Sequence, residues 1–257
     1  MQSAFTLMEL VIVLMILGIL AVSSTVFIQY GVETYLAGVD RQKMSGSGRF
    51  LVERLSRELR DAVPGSPRIH DVFSETGDNG ANEGSCLSFR PTEAAFAYLE
   101  APIVPKGASL TATVMPDSTF PNNLSSYIAV IFPESYTDFN VANGRAATVS
   151  DVDTSVVPHV VTFSSAVQFE QNSPAQRLYL THSEITYCLD AGNVYRYINR
   201  LTPVLMGQNY GNTAAELMFS RSGSSYSFYS LITVLMRLSE RGEDVVLSHE
   251  IQLLQQP

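Results

Sequence analysis

The chain has 257 residues, a length that allows one globular domain together with a long helix. Apolar residues make up 46% of the chain, which is enough for a packed core and excludes wholesale disorder. The formal net charge is −9, and a surface of this sign repels phosphate backbones, so no nucleic acid partner is expected.

The first predicted element is an apolar N-terminal helix. Residues 10–22 are apolar apart from Gly18, and the apolar character resumes at residues 26–28. Counted from Phe5, the segment has about the 20 residues that a helix needs to cross a bilayer. A carboxylate inside such a segment is costly unless it is paired or reaches the interface, so we expect Glu9 to have a partner.

The start of this segment resembles the class III signal sequence of type IV prepilins and pseudopilins, on the residues Phe5-Thr6-Leu7-Met8-Glu9-Leu10. The resemblance implies cleavage between Ala4 and Phe5 by a prepilin peptidase, followed by N-methylation of Phe5. It also implies that Glu9 is kept for assembly. The amine of Phe5 in one subunit would pair with Glu9 of a neighbour, so that neither charge is buried alone.

The chain differs from the family pattern before and after this motif. Ala4 stands where the family usually has Gly, and residues 1–4 contain no Lys or Arg. The first basic residues are Arg41 and Lys43, so the positive-inside rule taken alone would place the following domain in the cytoplasm. A secretory signal cleaved after residues 21–23 is the alternative interpretation. We follow the prepilin motif, because it is more specific than the positive-inside rule and than the pattern of a secretory signal.

The helix is predicted to continue beyond the membrane as residues 29–63. Apolar residues at helical spacing predict a stripe that packs on the following domain: Leu51, Leu55, Leu59 and Ala62. Charged residues occupy the other face and are expected to be solvated: Glu53, Arg54, Arg57, Glu58, Arg60 and Asp61. Glycines weaken the helix and could bend it: Gly31, Gly38, Gly46 and Gly48. The segment from Pro64 to Pro67 ends it.

Beyond Pro67 the pattern changes to short segments that predict an antiparallel meander. The predicted strands are residues 68–73, 85–89, 109–115, 126–132, 159–164, 177–181, 184–189, 193–199, 225–238 and 244–254. Residues 190–193 and 239–243 are predicted hairpin turns, and residues 205–226 are predicted to form a loop. A long helix packed on an antiparallel sheet is an α+β arrangement, and the resemblance implies the type IV pilin-like fold.

The two cysteines, Cys86 and Cys188, have no second Cys or His at zinc-ligand spacing. Beyond a membrane, in an oxidising compartment, they could form one disulfide. Two separate buried thiols are the alternative, since free cysteines are often found in protein cores. The sequence leaves both interpretations open.

No sequence pattern indicates catalysis, and we expect no enzymatic activity, no cofactor and no metal. The four histidines fall in no metal-ligand or nucleophile motif, and there is no Gly-x-Ser-x-Gly elbow or P-loop. Residues 78–83, and the pair Asp151 and Asp153, invite comparison with calcium ligands. We favour an ordinary polar loop for the first and an incidental pair for the second.

The sequence therefore predicts four parts: a prepilin leader (residues 1–4), a transmembrane and assembly helix (5–28), its amphipathic continuation (29–63) and a periplasmic β-rich head (64–257). The segment at residues 54–64 resembles the end of the helix in J-type minor pseudopilins and PilW-like minor pilins. The segments at residues 86–91 and 185–197 most closely resemble minor pilins of the mannose-sensitive haemagglutinin (MSHA) pilus.

The resemblance implies a minor pilin held in the inner membrane by a single helix, with its head in the periplasm. Such a subunit primes or caps pilus assembly, at or near the tip, by docking with other minor and major pilins and with the assembly platform. A J-type pseudopilin of type II secretion is the alternative within the family. A membrane-anchored periplasmic enzyme or glycan-binding module is the alternative from another class.

Overall fold

The computed structural model describes residues 7–71, 73, 81–116, 126–212, 218–222 and 229–254. The first element is a single helix, α1 (Leu7–Arg60), of 54 residues and therefore about 81 Å in length. It continues without interruption through all four of its glycines that follow the apolar segment. It ends just before Pro64, as the sequence predicts.

The described residues after α1 form strands and two short 3-10 helices. The strands are β1 (Arg68–His70), β2 (Glu83–Gly84), β3 (Cys86–Phe89), β4 (Ala94–Glu100), β5 (Ser109–Val114), β6 (Ile128–Ile131), β7 (Ala146–Asp153), β8 (His159–Val167), β9 (Arg177–Thr181), β10 (Ile185–Asp190), β11 (Asn193–Ile198), β12 (Val204–Gly207), β13 (Phe219–Ser222), β14 (Tyr229–Glu240) and β15 (Glu243–Leu254). The 3-10 helices are η1 (Tyr136–Phe139) and η2 (Val141–Asn143). The chain is thus α+β, with one long N-terminal helix and antiparallel sheets.

Two antiparallel sheets hold the second half of α1. Sheet 1 has the order β1-β3-β10-β11-β12, and sheet 2 has the order β15-β14-β13-β2. The apolar stripe of α1 shares one core with both sheets, and Leu51 and Leu55 are fully buried in it. Gly48 lies against β15, and a Cβ at this position would clash with Cδ1 of Leu247. The stripe therefore packs on the head as predicted.

Strands β4 to β9 form a closed barrel of six strands, in the order β4-β5-β8-β7-β6-β9. Its interior is filled by a second core that includes Phe96, Phe163 and Phe169. The whole barrel lies, in sequence, between β3 and β10, which pair with each other in sheet 1. The barrel is therefore an insertion between two neighbouring strands of that sheet.

A third, smaller core joins the barrel to the end of α1. Val63, directly after the helix, packs with Phe139 of η1 and with the outward-facing Val130, Ala146 and Tyr179 of the barrel. The barrel is consequently attached at the end of α1 opposite to its exposed apolar half.

The prediction of one meander is wrong, because the strands divide between two sheets and a barrel. Strands β2, β4 and β7 lie outside the predicted set, and the predicted loop at residues 205–226 contains parts of β12 and all of β13. The two predicted hairpin turns are correct, since β10 pairs with β11 and β14 pairs with β15 in continuous register.

Candidate functional site

The most unusual surface of the molecule is the first half of α1. Large apolar side chains from Leu7 to Val39 are exposed, among them Ile19 at 71% and Phe27 at 79%. Asp40 is the first buried residue of the helix. By length and composition, α1 is the one described helix that could cross a membrane. An apolar surface of this extent marks a site of contact with lipid or protein.

Glu9 lies in the first turn of the described helix, between the exposed Met8 and Leu10. The structure thus places one acidic side chain at the start of the exposed apolar surface. Ala4 and Phe5, the predicted processing residues, lie outside the described residues.

The turn between β14 and β15 forms ion pairs with α1 at the point where the helix enters the head. We call residues 240–243 the hairpin collar. Arg241 donates from Nη2 to Oδ1 of the buried Asp40 at 2.5 Å. Arg41 and Lys43 pair with Glu243 at 2.6 Å and with Glu240 at 3.0 Å.

Each charged residue of the hairpin collar pairs with a residue of opposite charge on α1. The two basic residues that follow the apolar segment, Arg41 and Lys43, are therefore neutralised by the head itself. This arrangement could not be predicted from the sequence, because about 200 residues separate the partners, for example 201 for Asp40 and Arg241. No local pattern links them.

The prediction that Glu58 is exposed to solvent is wrong. Glu58 instead joins α1 to sheet 1. Its carboxylate accepts hydrogen bonds from the Tyr187 hydroxyl at 3.0 Å and from Arg196 Nε at 3.1 Å, and it pairs with Arg54 at 3.2 Å. Burial of the Tyr187 hydroxyl, together with the neighbouring charge of Glu58, raises the pKa of Tyr187 well above its ordinary value. Tyr187 therefore stays protonated and donates to Glu58.

Sheet 1 has a polar face opposite to α1, and this face carries the disulfide. Cys86 of β3 and Cys188 of β10 lie directly opposite each other and are bonded, with Cα atoms 4.1 Å apart. Alternation along the strands separates this face from the apolar face formed by Leu87 and Tyr187. The sequence left open a disulfide or two separate thiols, and the structure has the disulfide.

The same face holds a buried chain of hydroxyl and imidazole groups. His70 Nε2 lies 2.8 Å from Ser88 Oγ, which lies 2.8 Å from Thr186 Oγ1. A serine beside a histidine can form a nucleophilic dyad, but all three residues here are fully buried. Their geometry is that of a polar core contact between β1, β3 and β10, because no substrate can reach Ser88 in this arrangement.

A buried ion pair lies on the polar face of sheet 1, beside η1. Arg68 Nη2 lies 2.9 Å from Glu184 Oε1, and the guanidinium stacks 3.9 Å from the ring centroid of Tyr136 in η1. Burial raises the pKa of the Glu184 carboxyl, but hydrogen bonding to Arg68 and the charges of Arg68 and Arg200 outweigh burial and leave that pKa below its ordinary value. The ion pair thus joins β1 to the start of β10 within sheet 1, and the stacking of Arg68 on Tyr136 links this sheet to the inserted segment.

The two acidic clusters considered for calcium differ in what the structure describes. Asp153 accepts hydrogen bonds from Ser155 N at 2.8 Å and from Ser155 Oγ at 2.6 Å, so it stabilises the turn after β7. Asp151 is exposed on the same strand. Residues 78–80 of the other cluster lie outside the described residues. Within the described part of the chain, no group of three or more His, Cys, Asp and Glu could hold a metal ion.

Comparison with known proteins finds no matching family model, no matching curated protein and no matching solved structure.

Proposed function

We propose that this protein is a membrane-anchored minor subunit of a type IV pilus of the MSHA type. The observation that carries the proposal is the first half of α1, which projects from the head with its apolar side chains exposed and with Glu9 at its start. A simple anchor gains nothing from a carboxylate in this position. A subunit that packs its helix beside others can use Glu9 to pair with the N-terminal amine of a neighbour.

One further feature supports a periplasmic head. Disulfides persist in oxidising compartments and are rare in the cytosol, which favours the periplasm for Cys86 and Cys188. The positive-inside rule points the other way, because Arg41 and Lys43 follow the apolar segment. The disulfide and the N-terminal motif together outweigh these two charges in the proposal.

The test is Glu9→Leu in producing cells. We expect the variant to enter the inner membrane normally, since the substitution makes the segment more apolar. We expect it to be lost from sheared pilus fractions, because the assembly contact is missing. Membrane fractionation and immunoblotting of sheared filaments measure the two outcomes.

Glu33→Leu is the matched control, because it removes the same charge from an exposed position higher on the same helix. It should leave both fractions unchanged. Normal incorporation of the Glu9→Leu protein into filaments would refute the assembly role and leave only a membrane anchor.

A J-type pseudopilin of type II secretion would use the same helix and the same carboxylate. The two proposals differ in the partner filament. Deletion of the gene should reduce surface piliation and leave secretion of exoproteins intact if the pilus assignment holds. The opposite result would transfer the proposal to the secretion system.

A further inference from the structure

A groove runs along the head between the second half of α1 and β15. We call it the edge groove; it has a volume of about 500 Å³. Its lining includes Arg49, Val52, Arg60, Met236, Leu247 and Ser248. Its floor is apolar and its helix side is rich in arginine.

The arginines of the edge groove stand out in a chain of net charge −9. Arg57 pairs with Glu53. Arg49 and Arg60 form no ion pair within the described part of the chain, whereas Arg41, Arg54 and other basic residues of α1 do. Two unpaired guanidinium groups on one helix face favour a ligand that brings carboxylates.

The other wall of the groove is an open sheet edge. β15 is a strand of 12 residues at the end of sheet 2, and it pairs with β14 alone among the described strands. The outer edge of such a strand presents unpaired N–H and C=O groups, which are a template for a further strand. Exposed residues Ser248, His249 and Glu250 follow this edge.

We propose that the edge groove binds an extended acidic segment of another polypeptide, which adds to the outer edge of β15 and places its carboxylates against Arg49 and Arg60. The backbone of the segment satisfies the edge, and its acidic side chains satisfy the arginines. The inference uses only the head and the second half of α1, so it does not depend on the pilus proposal.

The test uses the full chain in detergent micelles, extended at its C-terminus by a flexible Gly/Ser linker and an eight-residue strand of alternating Val and Asp. Tethering supplies an effective concentration of about millimolar, so a weak site is still occupied. A matched chain carries Asn in place of each added Asp. Hydrogen exchange at the amides of β15, residues 243–254, reports strand addition.

We expect the amides of β15 to exchange about tenfold more slowly with the Asp strand than with the Asn strand. A factor of ten corresponds to about one charge-assisted contact, which the Asp strand makes and the Asn strand lacks. Combined substitution Arg49→Gln and Arg60→Gln should remove this difference. Lys106→Gln, which removes a charge from the barrel, should preserve it.

Equal protection by the Asp and Asn strands would overturn the proposal, as would a difference that survives the double arginine substitution. Protection of α1 without protection of β15 would show that the acidic segment binds by its side chains alone, and this result also contradicts strand addition.

Discussion

The two halves of α1 share one continuous backbone but have opposite surroundings. Residues 7–39 expose large apolar side chains, whereas the stripe formed by Met44, Leu51, Leu55 and Leu59 is buried in the head. The first half must find its stability in a bilayer or in neighbouring helices, and the second half finds it in the core that α1 shares with the two sheets. Continuity of a helix therefore says little about where its stability originates.

The largest expected effect on the free energy of unfolding distinguishes the two halves of α1. Leu55→Ala removes a fully buried side chain from the shared core and should lower the free energy of unfolding of the head by about 2–5 kcal/mol. Urea unfolding in detergent, followed by the near-ultraviolet circular dichroism of the tyrosines, measures this loss.

Leu14→Ala is the control for that comparison, because Leu14 is 61% exposed in the other half. It should leave the unfolding of the head unchanged. A comparable loss for both variants would contradict the division of α1 into a docked half and an exposed half.

A smaller effect is expected at the boundary between the halves. Arg241→Gln leaves the carboxylate of Asp40, whose side chain is 3% exposed, without its ion-pair partner. We expect a loss of about 1–2 kcal/mol, at the lower end for charged hydrogen bonds because Arg241 itself is largely exposed. Adding Asp40→Asn should recover part of that loss, since the buried charge is then removed.

Arg41→Gln is the control, because Arg41 of α1 also pairs with the hairpin collar, through Glu243, and both partners are more exposed than Arg241 and Asp40. Its cost should stay below about 1 kcal/mol. Denaturant titration gives both values, and equal losses for Arg241→Gln and Arg41→Gln would show that burial of Asp40 carries no special weight.

The smallest expected effect compares two glycines of the docked half. A Cβ at Gly46 meets nothing within 4 Å, so Gly46→Ala should raise the free energy of unfolding by up to about 1 kcal/mol through helix propensity. Gly48→Ala should give no gain or a small loss, because the new methyl group displaces the side chain of Leu247. A gain at both positions would mean that α1 and β15 adjust freely to each other.

Local signals in the sequence predicted what depends on neighbours in the chain. The long helix, its end before Pro64, and the turns at residues 190–193 and 239–243 belong to this group. The barrel could not be predicted, because its closure depends on pairing between distant strands such as β4 with β9 and β5 with β8. β4 was missed because the exposed residues between Ala94, Phe96 and Tyr98 are themselves alanines, so the sequence lacks the apolar–polar alternation that indicates a strand.

The candidate site divides in the same way. Glu9 and the apolar segment were predicted, because composition alone marks them. The ion pairs of the buried Asp40 and Glu184 and of the partly buried Glu58 were missed, since a charged residue gives no local indication of an arginine far away in the sequence. The type IV pilin assignment and the processing at Phe5 stay predictions, and the experiments above test the role of Glu9.

The disulfide at the base of the inserted barrel has a mechanical consequence. Cys86 and Cys188 are 102 residues apart in the chain, and the barrel strands β4 to β9 lie between them. A pulling force that enters through α1 and leaves through β15 passes across the sulfur–sulfur bond and bypasses the barrel. Under tension the barrel is spared from stretching, and the chain can lengthen only outside the segment that the two cysteines enclose.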